Sequence, residues 1–470
     1  MMLAPATALA TALAIVVQDH TALRAGAQSG ALELTTLWQG DVVEVRAERA
    51  GYLQVYNDRR ERGGYLRSDA VRPLALTPAE APALLAVMRF LRDSHGSEAL
   101  GISYGAAYLK AAPPHGLTGE PLEAVALMAE RLADSASGSA SPGADVGAHL
   151  DVVGQFGIHM RTFERNGRMQ VCYDGELFQR VLTLPQASAE ERALAALSLT
   201  RPDCIDPALG PAARAILDEE RGAVLDTISE RDLTPLTRSR LHARRATVWA
   251  AVAFEQARHG RSSVAAGQRS LAEFAGVQAR DLGEDRRSDY ADAAVRVSAS
   301  RWAGVASAHK PDGLMVAVTA GEPGQTCVAV QKPQAAATPL VRRCTYGVAW
   351  PASAQVIAQG QALVLAVQPL ESWRELWVFH ERAESWTVDV LSPGTDDPDE
   401  GYIEYAGYVP AARRLLVARE VKVHGHIRRS FEELRLADLL TVRQASDPAL
   451  LRDFGRWQDA RWRSDTLSLR

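Results

Sequence analysis

The chain has 470 residues, 47% of them hydrophobic and 23% charged, and a formal net charge of −5 at pH 7. That composition supports apolar cores for about two to four domains. The slight acidity excludes the basic surplus of a nucleic-acid binder, and no run beyond the N-terminus reaches the roughly eighteen apolar residues of a membrane span.

The first basic residue is Arg24, and an Ala- and Leu-rich apolar stretch precedes it. Ala8-Leu9-Ala10 and Ala12-Leu13-Ala14 each offer the small-x-small pattern of a signal-peptidase site. Residues 1–14 are therefore expected as a signal peptide, without the usual positive n-region; the alternative is an unprocessed hydrophobic start whose residues 15–17 pair in the strands that follow. No cysteine follows that would carry a lipid anchor. Only Lys110, Lys310, Lys332 and Lys422 are lysines among 52 basic residues. With abundant alanine and little asparagine, this reads as the codon bias of a GC-rich genome rather than as phosphate recognition.

From residue 15 the pattern is of short strands, at 15–17, 21–24, 34–37, 41–46 and 52–56, with a last one after Gly63-Gly64. Val43 and Val45 share one face of theirs, and Leu53 and Val55 oppose Tyr52, Gln54 and Tyr56. Period-2 alternation between Gly-rich turns marks half-buried strands. Thr21-Ala22-Leu23-Arg24, Trp38-Gln39-Gly40-Asp41, Gly51-Tyr52-Leu53-Gln54-Val55 and Gly64-Tyr65-Leu66 follow in order. Over residues 15–74 this order resembles a bacterial SH3 domain of exported proteins, although Tyr52 and Tyr65 stand where tryptophan is commoner. The resemblance implies a small β-barrel that docks peptide or cell-wall material, and no catalysis. Tyr52, Tyr56 and Tyr65, with Arg59 and Arg60 of the charged turn, are the candidate ligand-binding residues. The alternative is that the tyrosines merely cap a small core.

Residues 76–310 read as mostly helical. Thr77-Pro78-Ala79-Glu80 carries a capping residue, a proline at the first helical position and a capping-box glutamate. Further helices are expected at 101–111 and 121–135, then a flexible Ser/Gly/Ala loop at 135–147. Asn166-Gly167 between alternating segments predicts a hairpin over 158–173. Helices follow at 175–184, 189–199, 211–226, 236–256, 262–274 and 289–303. The pair at 236–274 has the small-residue look of a tetratricopeptide repeat, but one copy makes no solenoid. From residue 311 to 470 the pattern turns to strands. Segments 346–391 and 405–442 each run as aromatic strand, apolar strand, hairpin and final strand, like single blades of a propeller. The fold class is thus multidomain α+β: an SH3-like barrel, a helical middle and a C-terminal antiparallel β domain with propeller-blade-like repeats.

Four cysteines fall into two local pairs, Cys172 with Cys204 and Cys327 with Cys344. That fits two disulfides in an oxidising compartment, though four cysteines allow three connectivities. Free thiols are the alternative.

Catalytic patterns are few. Gly101-Ile102-Ser103-Tyr104-Gly105 matches a nucleophile elbow but lacks the preceding buried strand. Ser307-x-x-Lys310 has no companion motif. Cys172 near His149 and His159 suggests a thiol nucleophile only if Cys172 is unpaired. His424 and His426 offer two metal ligands without a third. Acidic residues 396–400 lack calcium-loop spacing. The expected function is non-enzymatic docking or scaffolding in the periplasm or outside the cell, with no cofactor or metal. The partners would be an envelope protein, a peptide or a peptidoglycan-like ligand, with no nucleic acid and no transmembrane anchor. The alternative is a cell-wall hydrolase targeted by its SH3-like domain, with Ser103, a free Cys172 or another nucleophile beside a histidine.

Overall fold

The structure, a computed structural model, describes residues 12–113, 117–138, 143–281, 287–306, 313–333, 338–382, 385–394 and 400–465. The chain divides into two compact units. One runs to Leu209 and takes in Ile228–Leu233; the other comprises Gly210–Thr227 and Thr234–Arg470. The helical middle is therefore not one body. Its first half belongs with the N-terminal strands and its second half with the C-terminal ones.

The N-terminal unit opens with β1 (Ala12–Val16), β2 (Thr21–Arg24), β3 (Glu33–Leu37), β4 (Val42–Arg49), β5 (Tyr52–Asn57), β6 (Arg62–Arg67) and β7 (Val71–Leu74). They form one antiparallel sheet in the order β3-β2-β6-β5-β4-β1-β7. Ala14, Val16, Leu23, Leu37, Val43, Leu53, Val55, Leu66 and Val71 make a single core, so the sheet curls around its own inner face. The edge strands β3 and β7 are not hydrogen-bonded to each other, so the sheet stays open where a closed barrel was expected. Its first strand starts at Ala12, earlier than the expected boundary at residue 15. Leu13 and Ile15 pair with Leu74 and Arg72 on one side and with Glu44 and Val42 on the other.

Helices α1 (Ala81–Arg92), α2 (Glu98–Ala111), α3 (Gly119–Ala136) and α4 (Ala144–Gly154) follow. The first begins four residues after Thr77. Glu80 serves not in a capping box but as acceptor for the backbone N–H groups of Ala75 and Leu76, at 2.8 and 2.9 Å. The expected loop at 135–147 is shorter than its composition suggested, because α3 reaches Ala136 and α4 starts at Ala144. The hairpin β8 (Met160–Arg165) and β9 (Arg168–Tyr173) turns at Asn166-Gly167, both at positive φ as a type I′ turn requires. Next come α5 (Glu176–Thr183) and α6 (Ala189–Leu199), the latter started by a full capping box of Ser188 and Glu191. Cys172 on β9 is bonded to Cys204, and Arg165 donates to the Pro202 carbonyl at 2.9 Å, so the loop after α6 is tied to the hairpin.

The C-terminal unit starts with α7 (Pro211–Asp226), α8 (Pro235–Arg258), α9 (Val264–Ala275) and α10 (Arg287–Ala299). A three-stranded sheet of β10 (Met315–Ala320), β11 (Thr326–Gln331) and β12 (Val341–Thr345) comes next, with Cys327 bonded to Cys344 directly opposite it. The largest sheet has nine strands: β13 (Val348–Ala349), β14 (Gln355–Ile357), β15 (Ala362–Leu370), β16 (Trp373–Arg382), β17 (Ser385–Leu391), β18 (Gly401–Val409), β19 (Arg414–Val423), β20 (His426–Arg435) and β21 (Thr441–Ala445). The two segments read as separate blades join in this one sheet. The seam is a short parallel pairing of Trp373 and Arg374 on β16 with Gly401 and Tyr402 on β18. The tail forms α11 (Arg452–Trp457) and α12 (Ala460–Asp465). It docks on β18 at Gly407, whose φ is +152° and where a Cβ would lie 2.2 Å from the Trp457 carbonyl oxygen. Phe454 and Trp462 of the tail meet the Phe431 ring edge-on.

A chain of alternating charges ties α7 and α10 to this sheet. Arg221 pairs with Asp218 at 2.6 Å, Asp218 with Arg214 at 2.8 Å, and Arg214 with Glu371 at 2.8 Å. Arg296 then bridges Glu371 and Glu400, and Lys422 bridges Glu400 and Asp292. Asp218 is fully buried. Removing one member strands its partners in a dry interior. Asp218→Ala is therefore expected to cost about 3–5 kcal/mol, read as a lower urea midpoint at unchanged slope.

In the N-terminal unit, Glu123 on α3 has its carboxyl pushed up to about 7, first by burial and then by Glu191, Glu190 and Glu120, with Arg92 opposing. A native pKa above the unfolded value means that the protonated form is the one the fold favours. The stability it contributes is complete below the unfolded value and is lost as pH rises through the native one. Thermal unfolding followed from about pH 4.5 to 8 should show that loss, on the order of 2 kcal/mol after solvent screening, and Glu123→Gln should flatten it.

Candidate binding face on the N-terminal sheet

The alternation of β5 sends Leu53 and Val55 into the core and Tyr52, Gln54 and Tyr56 outward. Residues directly opposite across an antiparallel pair share a face. Tyr52 lies between Arg49 of β4 and Arg67 of β6. Gln54 lies between Ala47 and Tyr65, and Tyr65 in turn faces Arg24 of β2. Tyr56 lies between Glu44 and Gly63, with the Arg46 guanidinium 4.5 Å above its ring. Three half-buried tyrosines thus share one outer face, each beside an arginine. Phenol rings over a rigid sheet supply flat, amphipathic contact area at little entropic cost, and their hydroxyls can donate or accept. The arginines favour anionic groups, although Arg67 is partly spent on Asp69 and Arg46 on Glu44.

Arg59 and Arg60 do not join this face. Asp41, fully buried at the start of β4, accepts from Arg59 Nη2 at 3.1 Å and has Arg60 Nη2 at 3.9 Å. Its other oxygen accepts from the Trp38 backbone N–H at 3.0 Å. Asn57, equally buried, accepts from the Arg60 N–H and donates to the Val42 carbonyl. A buried carboxylate needs cationic partners, so the charged turn serves the interior of the sheet. The sequence showed its charge but not the partner eighteen residues away.

The turn from Trp38 to Asp41 also mounts the sheet on the helices. Gly40 has φ +90°, and a Cβ there would lie 2.7 Å from both the Ala99 carbonyl oxygen and Ser103 Oγ of α2. Ser103 Oγ lies 2.8 Å from the Gly40 carbonyl oxygen and 2.9 Å from that of Ala99. The serine of the G-x-S-x-G pattern therefore sits inside a helix, 1% exposed, and no strand-turn-helix elbow is present. On the other side, Asp19 Oδ1 is 2.8 Å from His149 Nε2 of α4 and accepts from the Gln39 N–H at 3.1 Å. Gln39 Nε2 donates to Asp19 Oδ2 and to the Gly96 carbonyl. The half-buried Trp38 ring lies 4.4 Å from His20 and 6.0 Å from His149, centroid to centroid. Asp19, Gln39 and His149 form a positioning network; the sequence offered each as an isolated polar residue.

The remaining candidates separate cleanly. Both expected cysteine pairs are disulfides, and no cysteine is free, so Cys172 offers no thiol beside His149 or His159. His424 and His426 are exposed at the β19–β20 turn, and no third histidine, cysteine or carboxylate joins them in a ligand cluster among the described residues. Residues 307–310 and 396–399 lie outside the described residues. Comparison with protein-family models, with curated proteins and with solved structures finds no match.

Ser103→Ala should lower stability by about 1–2 kcal/mol with folding intact, and Gly40→Ala by more, since it adds left-handed strain to a clash with α2. Chemical denaturation of both variants measures this. Equal, negligible effects would contradict the mounting described.

Proposed function

We propose that this is an exported, non-catalytic binding protein whose N-terminal sheet presents Tyr52, Tyr56 and Tyr65 to an envelope ligand. The observation that carries the reading is the gathering of these tyrosines on one rigid outer face, each beside an arginine. The SH3-like order of residues 15–74 supports a docking module, and the ligand it implies is peptide or peptidoglycan-like. Of the nucleophiles named for a cell-wall hydrolase, Ser103 is a helix-buried hydroxyl and Cys172 a disulfide sulfur. Two disulfides, and the absence of any helix long and apolar enough to cross a membrane among the described residues, are compatible with an extracellular location.

Export also constrains the cleavage point. Ala14, Ile15 and Val16 are fully buried, and Ala12, Leu13 and Ala14 pair with Val45, Glu44 and Val43. Cleavage after Ala10 keeps β1 whole, whereas cleavage after Ala14 removes most of it. Intact mass of the protein from its own cells should therefore begin at Thr11, with no cysteine alkylated before reduction. A start at Ile15 would contradict the pairing of Ala12–Ala14 in β1, and full length with free thiols would overturn the export reading. For the face itself, soluble peptidoglycan fragments titrated by calorimetry should bind wild type, and Tyr52→Ala and Tyr56→Ala should each weaken binding about fivefold or more at unchanged melting temperature. Binding that ignores both substitutions would remove the face from the function.

A further inference from the structure

The C-terminal unit holds a second site candidate. Beneath the docked tail is a cavity of about 20 Å³, lined by Arg301, Trp302, Glu404, Tyr405, Arg461 and Trp462 among others. It has room for one or two species the size of water. Its inner wall is charged. Arg301 is 5% exposed and Glu404 3% exposed. Arg301 donates from Nε to Glu404 Oε1 at 2.6 Å, and its Nη2 meets the same oxygen. Arg374, fully buried behind, donates from Nη1 to the Ser298 carbonyl at 2.6 Å. Its Nη2 stands 3.4 Å from Glu404 Oε2, and its Nε has no hydrogen-bond partner.

Two buried guanidiniums therefore share one carboxylate. The next carboxylate, Glu420, is taken by Arg429 and by the Tyr402 hydroxyl. At the mouth, Asp459 and Arg461 offset each other in charge, and Asp459 is already occupied by the backbone N–H groups of Arg461 and Trp462. The interior is left with one uncompensated positive charge. Burial lowers the basicity of Arg374, and Arg301 adds to that, against the pull of Glu404. An unpaired charge in such surroundings costs several kcal/mol unless a counter-ion joins it.

We propose that this cavity is a binding site for a small monovalent anion of halide size, held by Arg301 and sheltered by the rings of Trp302 and Trp462. Charge balance selects an anion, and the volume selects a monatomic one over sulfate or a carboxylic acid. The Arg301 guanidinium already lies 4.2 Å over the Trp302 ring, which fixes the direction of its remaining donors.

The test uses the full chain. Melting temperature is followed against sodium bromide and against sodium sulfate at matched ionic strength, and crystals are soaked in bromide for anomalous scattering. The expected result is a saturable rise with bromide alone and an anomalous peak in contact with Arg301. Glu404→Gln removes the shared carboxylate and should lower the half-saturating bromide concentration about tenfold, while Arg301→Gln should abolish the response. Equal responses to both salts, a cavity without an anomalous peak, or an unchanged half-saturation in folded Glu404→Gln would each overturn the site. The wild-type soak decides the matter even where a variant does not fold.

Discussion

Burying a charge is tolerable only when its neighbours carry the opposite sign, and the C-terminal unit is built around that constraint. From Arg221 through Asp218, Arg214, Glu371, Arg296, Glu400 and Lys422 to Asp292, the signs alternate without a break. Each internal member is flanked by two opposite charges, which shares the desolvation penalty and leaves little rotational freedom to lose per added pair. The chain joins α7, α10 and the ends of β15, β18 and β19, beside the apolar packing of Val295 and Ala299 on Tyr402. An apolar seam would hold them as firmly but would accept sliding; paired charges at fixed spacing accept one register. The contrast with the Arg301–Glu404–Arg374 group is instructive, because there the alternation ends with a surplus cation.

In the N-terminal unit the equivalent role falls to close backbone approach. Gly40 lets the sheet touch α2 with no side chain between them, and Ser103 closes the contact with a hydroxyl. Asp19, Gln39 and His149 fix the same turn against α4. The outer face of β4, β5 and β6 is thereby carried on a rigid mount while remaining free of it. That arrangement suits recognition by flat aromatic surfaces, where pre-organisation saves the entropy of ordering a loop.

What could be read in the sequence was local. Asn166-Gly167 between alternating runs announced its hairpin, the helix over Pro211–Asp226 was read at its observed bounds, and both disulfides followed from proximity in the chain. The tyrosine face was legible because alternation on β5 is a short-range code. Arg59 and Arg60 were misplaced because their partner Asp41 lies across a turn, and nothing in a charged loop says whether its charge faces water or a buried carboxylate. The arginines of the ion chain were invisible for the same reason on a larger scale: Arg214 and Glu371 are 157 residues apart. Blade-like segments were recognised as similar, but whether strands share one sheet depends on a two-residue parallel seam that leaves no mark in either segment.

The position of β1 has a consequence for synthesis. It is the first described strand of the chain, yet it lies inside the sheet, paired on one side with β4 and on the other with β7. Leu13 meets Leu74, so the sheet is not complete until the chain has been made through that point. Before then β1 can join β4 alone, with its other edge open to any strand that passes. Within this sheet the edge of β1 therefore stays open until β7 follows it. A chaperone that shields nascent strand edges would therefore act on the first seventy-odd residues, before any helix of the unit exists.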